Sequence, residues 1–181
     1  MTSLKKNFIY NVVYQMLLII LPLITAPYIA RTLGAEGVGI YSYTYSVAQY
    51  FLLFAMLGIS NHGNRSIAAV REDDCKLSRT FWSIYSIQAF MYVLAIIAYL
   101  IYLFAFNVDN KTIVAIQFIY VVSGALDISW YFFGTEQFKI TVTRNMIIKI
   151  ATVILMFIFV HNPGDLAKYT VIMAGGTFLS Q

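Results

Sequence analysis

Two ionisable side chains of opposite sign lie inside long apolar stretches of this chain: Asp127 in IYVVSGALDISWYFF and Lys149 in NMIIKIATVILMF. A charge toward the middle of a membrane helix costs about 2.5–3.5 kcal/mol unless it is paired, hydrated or neutralised. Asp127 therefore needs a reason, and two fit: a proton- or cation-sensitive switch, or one half of an internal ion pair. A turn near 137–140 would put Asp127 about seven residues inward from Gly134 and Lys149 about six inward from Thr143, so as helices both would sit about 9–11 Å from the turn. Equal depth on adjacent antiparallel helices makes Lys149 the expected partner of Asp127. Other chemistry is missing. His62 and His161 fall at the ends of different apolar segments, with no cysteine or carboxylate at metal-ligand spacing, so no metal site is expected. There is no phosphate-binding loop, no GxSxG elbow and no HExxH pair, so neither a cofactor nor an enzymatic activity is expected. A single cysteine, Cys75, excludes an intramolecular disulfide.

The elements that must position these groups follow from composition. With 60% hydrophobic and 11% charged residues, the chain has too few polar groups to solvate its apolar surface in water. It reads as an all-α, polytopic membrane bundle. Lys6 and Arg31 bracket a charge-free run that as a helix would reach about 36 Å, enough to cross a tilted hydrocarbon core. Further spans are expected at 38–61, 80–104, 112–134 and 144–160, after a first at 8–30, with a sixth over 167–181 that begins near Ala167 and is incomplete at Gln181. Pro22 and Pro27 should bend or loosen the first span.

The net charge of +4 is spread over short connections rather than clustered with aromatics, so no nucleic-acid partner is expected. Orientation accounts for it better. Lys5, Lys6, Arg65, Arg71, Lys76, Arg79, Lys139, Arg144 and Lys149 fall on one side, against Arg31, Lys111 and Lys168 on the other, a bias of about nine to three that places the N-terminus in the cytoplasm. The stretch APYIARTLGAEGVGIY is then an outer hairpin in which Gly34, Gly37 and Gly39 allow a sharp turn and a close helix approach. Arg31 can snorkel to the interface there, and Tyr41, Tyr43 and Tyr45 read as an aromatic belt, with sugar stacking as the alternative. His62 to Arg79 is the most polar stretch and reads as a solvated loop, its Arg71-Glu72-Asp73-Asp74 cluster an elbow.

PLITAPYIARTLGAEGVGIY at 22–41 resembles the first outer hairpin of the polysaccharide flippases, the O-antigen and capsule transporters of the multidrug/oligosaccharidyl-lipid/polysaccharide exporter superfamily. DISWYFFGTEQFKITVTRN at 127–145 is similar to that family's fourth-to-fifth-span hairpin, and LGISNHGNRSIA at 57–69 to the inner end of its second span. The resemblance implies a transporter of the bacterial inner membrane that moves an undecaprenyl-diphosphate-linked oligosaccharide to the outer leaflet for surface polysaccharide synthesis. It also implies that residues 1–181 form the N-terminal lobe of a two-lobed protein, whose partners are membrane lipid and either a C-terminal lobe or a second copy.

A lipid diphosphate sugar needs cations, hydrogen-bonding side chains and a groove for its tail. On this reading Arg31, Arg65 and Arg144, near the two mouths, are the candidates for diphosphate contact, with interfacial anchoring as the alternative. Gln15 and Asn61, together with Gln49, Gln88 and Gln117, are the candidate polar lining, with helix-to-helix hydrogen bonding as theirs. Two other functions compete: a multidrug exporter of the same superfamily, and a non-transporting remnant of a truncated gene. The orientation has a direct test. A cysteine introduced at Ala35 should react with a membrane-impermeant thiol reagent in intact cells while native Cys75 stays unlabelled; the opposite pattern reverses every inside and outside assignment.

Overall fold

The computed structural model describes residues 2–181, and the side chains of all of these except 2–11, 13, 14, 17, 18 and 138. The side chains of Lys5 and Lys6, and several near the start of the expected first span, lie outside the described set. The described chain is helical throughout, with no strand: α1 (Thr2–Ala55), α2 (Ile59–Val70), α3 (Asp74–Ala105), α4 (Lys111–Ala125), α5 (Ser129–Gly134), α6 (Phe138–Phe159), a single 3₁₀ turn (Pro163–Asp165) and α7 (Leu166–Leu179). Apolar surroundings favour this, because a helix pairs its own backbone N–H and C=O groups where no water is available to do so.

Among the described residues three segments are long and apolar enough to cross a membrane: Asp74–Ala105, Lys111–Gly134 and Lys139–Phe159. They coincide with the third, fourth and fifth expected spans. The count of five complete spans and a sixth is not what the helices give, for three local reasons. Residues 8–30 and the first part of 38–61 are joined without a loop: α1 consists of two helical arms that meet at a kink, where the backbone at Gly34 is non-helical. The end of the expected second span separates as α2, beyond a turn in which Gly58 adopts φ 76°. The final element, α7, has 14 residues within this sequence and is not among the three long apolar segments.

Gly34 has φ 71° and ψ 174°, a conformation that a residue with a Cβ rarely adopts. The backbone thus turns at the glycine cluster, as the spacing predicts, and Pro22 and Pro27 remain within regular helix on either side of one turn of α1's first arm. The stretch from His62 to Arg79, expected as a loop, is mostly helix. It forms because α2 has a face to bury: Gly63 and Ile67 are inaccessible and pack on α5 and the start of α3. Only the elbow is a turn. There Asp73 accepts a hydrogen bond from the Lys76 amide at 3.0 Å and caps α3, while Arg71 forms an ion pair with Glu136 of the turn after α5.

The fourth span is covered, yet it is broken. Helix α4 ends at Ala125 and α5 begins at Ser129, which leaves carbonyls of the break outside the regular helical ladder, although that of Gly124 accepts the Asp127 N–H at 3.2 Å. Gln88 of α3, fully buried, meets them. Its Nε2 donates to the Asp127 carbonyl at 2.8 Å and reaches those of Gly124 and Ala125 at 3.4 and 3.5 Å. Its Oε1 accepts from Trp130 Nε1 at 2.8 Å. Trp130 in turn lies so close to α2 that a Cβ at Gly63 would come within 2.7 Å of its ring, so only glycine fits there.

Helix α4 packs against α1, α3 and α7, with Tyr92, Tyr99, Val114 and Val121 in the core between them. A second cluster joins α1 to α6 and α7 through Ile29, Leu33, Met156 and Val160. The expected belt of Tyr41, Tyr43 and Tyr45 divides instead. Positions 41 and 45 share a helix face and 43 lies opposite. Tyr43 is 66% exposed, whereas the rings of Tyr41 and Tyr45 turn inward, 4.8 Å from Tyr169 and 5.0 Å from Tyr120 respectively.

Two outcomes follow from these contacts. Gln88→Leu leaves the Trp130 N–H and the Asp127 carbonyl without these partners, so thermal unfolding in detergent should show a loss of about 2 kcal/mol; an unchanged midpoint would mean that those groups find other partners. The connection before α7 should respond to acid. Lys168, and then the backbone N–H groups of His161 and Asn162, hold the Asp165 carboxyl down from 3.8 to about 2. A depressed folded-state pKa contributes stability above the ordinary carboxylate range and loses it as pH falls through the folded value. The melting difference between the native protein and Asp165→Asn should therefore be complete at about pH 5 and shrink toward about pH 2.

Candidate functional site

Two grooves indent the bundle. The first, about 480 Å³, lies between α1, α6 and α7. Its α6 wall is made by Asn145, Lys149, Thr152 and Met156, at the i, i+4, i+7, i+11 spacing that puts four residues on one helix face. Thr25 and Ser42 of α1 and Tyr169 and Thr177 of α7 add hydroxyls. The second groove, about 660 Å³, lies between α1, α3, α4 and α7. Its α1 wall repeats the spacing with Tyr45, Gln49, Leu52 and Met56, and Ser123 and Asp127 line it from the α4 side.

The grooves differ in charge. Among the described residues Lys149 is the only ionisable cation or carboxylate side chain lining the first, and Asp127 the only one lining the second. They are separated by the tyrosines. Tyr41 lines the first groove and Tyr120 the second, and their hydroxyls meet at 3.1 Å; Thr177 lines both.

Asp127 and Lys149 do not form the expected ion pair. Equal depth would need unbroken helix through residue 127, but the chain is non-helical there, and Asp127 serves the break itself: its Oδ1 accepts the Ser129 N–H at 2.9 Å, a local Asx turn leading into α5. Among the described residues Lys149 has no carboxylate partner; the ion pairs are Arg71–Glu136, Lys76–Asp73 and Lys168–Asp165.

The other expected site residues are not brought together. Gln15, Arg31, Asn61 and Arg65 are exposed and line neither groove, the last two on the outer face of α2. Arg144 is half-buried, and its Nη1 donates to the Gln181 carbonyl at 2.8 Å, tying the start of α6 to the end of α7. Of the glutamines, Gln49 lines the second groove. Gln88 and Gln117 join helices, Gln117 by donating to Thr44 Oγ1 at 3.4 Å. The residues that sequence reasoning passed over are the small hydroxyls and amides of the first groove: Thr25, Ser42, Asn145, Thr152 and Thr177. The polar stripe that Asn145 and Thr152 form with Lys149 on an otherwise apolar helix was the signal that marks two of them.

No solved structure matches the chain significantly. A curated relative from Escherichia coli (strain K12), described as "Putative O-antigen transporter", is 29% identical over 171 residues, covering 91% of this chain and 40% of the relative. The chain thus spans about two fifths of the length of that relative. The apolar spans and the helical bundle describe a multi-pass membrane protein. The family model described as "Polysaccharide biosynthesis protein" matches residues 4–181, nearly the whole sequence, and the chain belongs to that family.

Proposed function

We propose that residues 1–181 form the N-terminal lobe of a transporter that carries lipid-linked oligosaccharide, an undecaprenyl-diphosphate repeat unit, across the bacterial inner membrane for surface polysaccharide synthesis. The N-terminus lies in the cytoplasm, and the two arms of α1 and the shorter α7 add membrane crossings to the three long apolar segments. A second lobe, or a second copy, faces the two grooves and completes the path. Transport proceeds by alternating exposure of the grooves, without a bound nucleotide.

One observation carries this reading: Lys149 stands within an apolar span, lines a groove, and has no carboxylate partner among the described residues. Lys149 is exposed at the groove, and a cation within an apolar segment that lacks a counter-charge suits an anion that comes and goes. The surrounding Asn145, Thr152, Tyr169 and Thr177 supply the hydrogen bonds that a diphosphate, an acceptor on every oxygen, requires.

In nanodiscs of phosphatidylcholine, a polyprenyl-diphosphate-linked oligosaccharide should bind the native protein and bind Lys149→Gln about tenfold more weakly, the loss of one charge-assisted hydrogen bond. Lys149→Arg should retain most of the affinity. Equal binding by Lys149→Gln, or displacement of the probe by phosphatidylglycerol at matching concentration, overturns the proposal; the second outcome would mean that the groove takes any anionic lipid headgroup.

A further inference from the structure

The second groove has the opposite electrostatic character from the first. Among the described residues no lysine, arginine or histidine lines it, although Arg144 donates to the main chain of the lining residue Gln181, and the Asp127 carboxylate does line it. One oxygen of that carboxylate accepts the Ser129 N–H, and no cation pairs with the group among the described residues, so its negative charge faces the groove uncompensated. Beside it stand the Gln49 amide, the Ser46 and Ser123 hydroxyls and the rings of Tyr45, Tyr50 and Tyr120.

This combination fits one class of ligand. A carboxylate is an acceptor only, and bonds strongly to hydroxyl donors; an amide both donates and accepts. Tyrosine rings offer apolar faces with a polar tip, which suit the C–H faces of a pyranose. The volume of about 660 Å³ is that of a small-molecule site. A phosphate would be repelled here, and so would a sugar that carries its own carboxylate.

We infer that the second groove is a saccharide subsite, and that Asp127 makes it select neutral or amino sugars against acidic ones. The inference rests on the reading of Lys149 as the diphosphate anchor. The Tyr41 and Tyr120 hydroxyls close the direct boundary, but Thr177 lines both grooves, so a ligand anchored in the first extends its sugars into the second past Thr177 and around the tyrosine wall.

The test uses three probes on the whole chain in phosphatidylcholine nanodiscs: farnesyl diphosphate, a farnesyl-diphosphate-linked neutral trisaccharide, and the same molecule with one hexose replaced by a hexuronic acid. The native protein should bind the neutral trisaccharide probe about tenfold more tightly than the acidic one. Asp127→Asn keeps a side-chain oxygen for the Ser129 N–H and should remove most of that preference. Gln49→Ala should weaken both saccharide probes and leave their ratio intact, and neither change should alter binding of farnesyl diphosphate. Equal affinity of the native protein for the two saccharide probes, or an unchanged ratio in Asp127→Asn, overturns the inference. If the saccharide probes bind no better than farnesyl diphosphate while Lys149→Gln still weakens the latter, the subsite fails and the anchor stands. If farnesyl diphosphate does not bind at all, both fall together.

Discussion

The arrangement of this bundle depends on one buried amide. A membrane span that stops being helical part-way exposes carbonyl groups where no water can reach them, and each unmatched group costs several kcal/mol in hydrocarbon. Gln88 matches them from α3 and at the same time receives the Trp130 N–H from the far side of the break. The break, the placement of α5 and the seat of α2 on Trp130 all hang on that side chain. The Asp127 carboxylate stands at the second groove because the chain leaves the helix there, and not because a helix tolerates a charge.

The tyrosines divide what would otherwise be one polar region. Tyr41, Tyr45, Tyr120 and Tyr169 pack edge-to-face and stacked, with centroids 4.8–5.7 Å apart, and fill the space between α1, α4 and α7. They keep the groove with the cation apart from the groove with the carboxylate, so that two opposite charges in adjoining spans meet different surroundings rather than each other. Direct pairing would have neutralised both and left neither available.

The long apolar segments were legible in the sequence because length and hydropathy are additive properties of a stretch, and the turn at Gly34 because few residues other than glycine take its dihedrals. The helix in place of the His62–Arg79 loop was not, since α2 is only marginally apolar on average and owes its place to two residues, Gly63 and Ile67, that bury against a distant tryptophan. Asp127 shows the limit most plainly. Its unusual position was visible, but the inference to Lys149 assumed a straight helix, and nothing local in SGALDIS announces a break whose compensation comes from residue 88. The arginines drew attention as charges, whereas the grooves are lined chiefly by hydroxyls and amides, which are common everywhere and become a site only through the face they share.

The order in which the chain is made bears on the break at residues 126–128. Synthesis runs from the N-terminus, so the amide at position 88 is already in the bilayer when the interrupted segment arrives, and the indole at position 130 follows two residues after the gap. The acceptors of the break thus enter a membrane that already holds their donor. Had the same glutamine been carried by a later helix, the interrupted segment would have waited in lipid with bare carbonyls, exposed to mispairing and to proteolytic quality control during that interval.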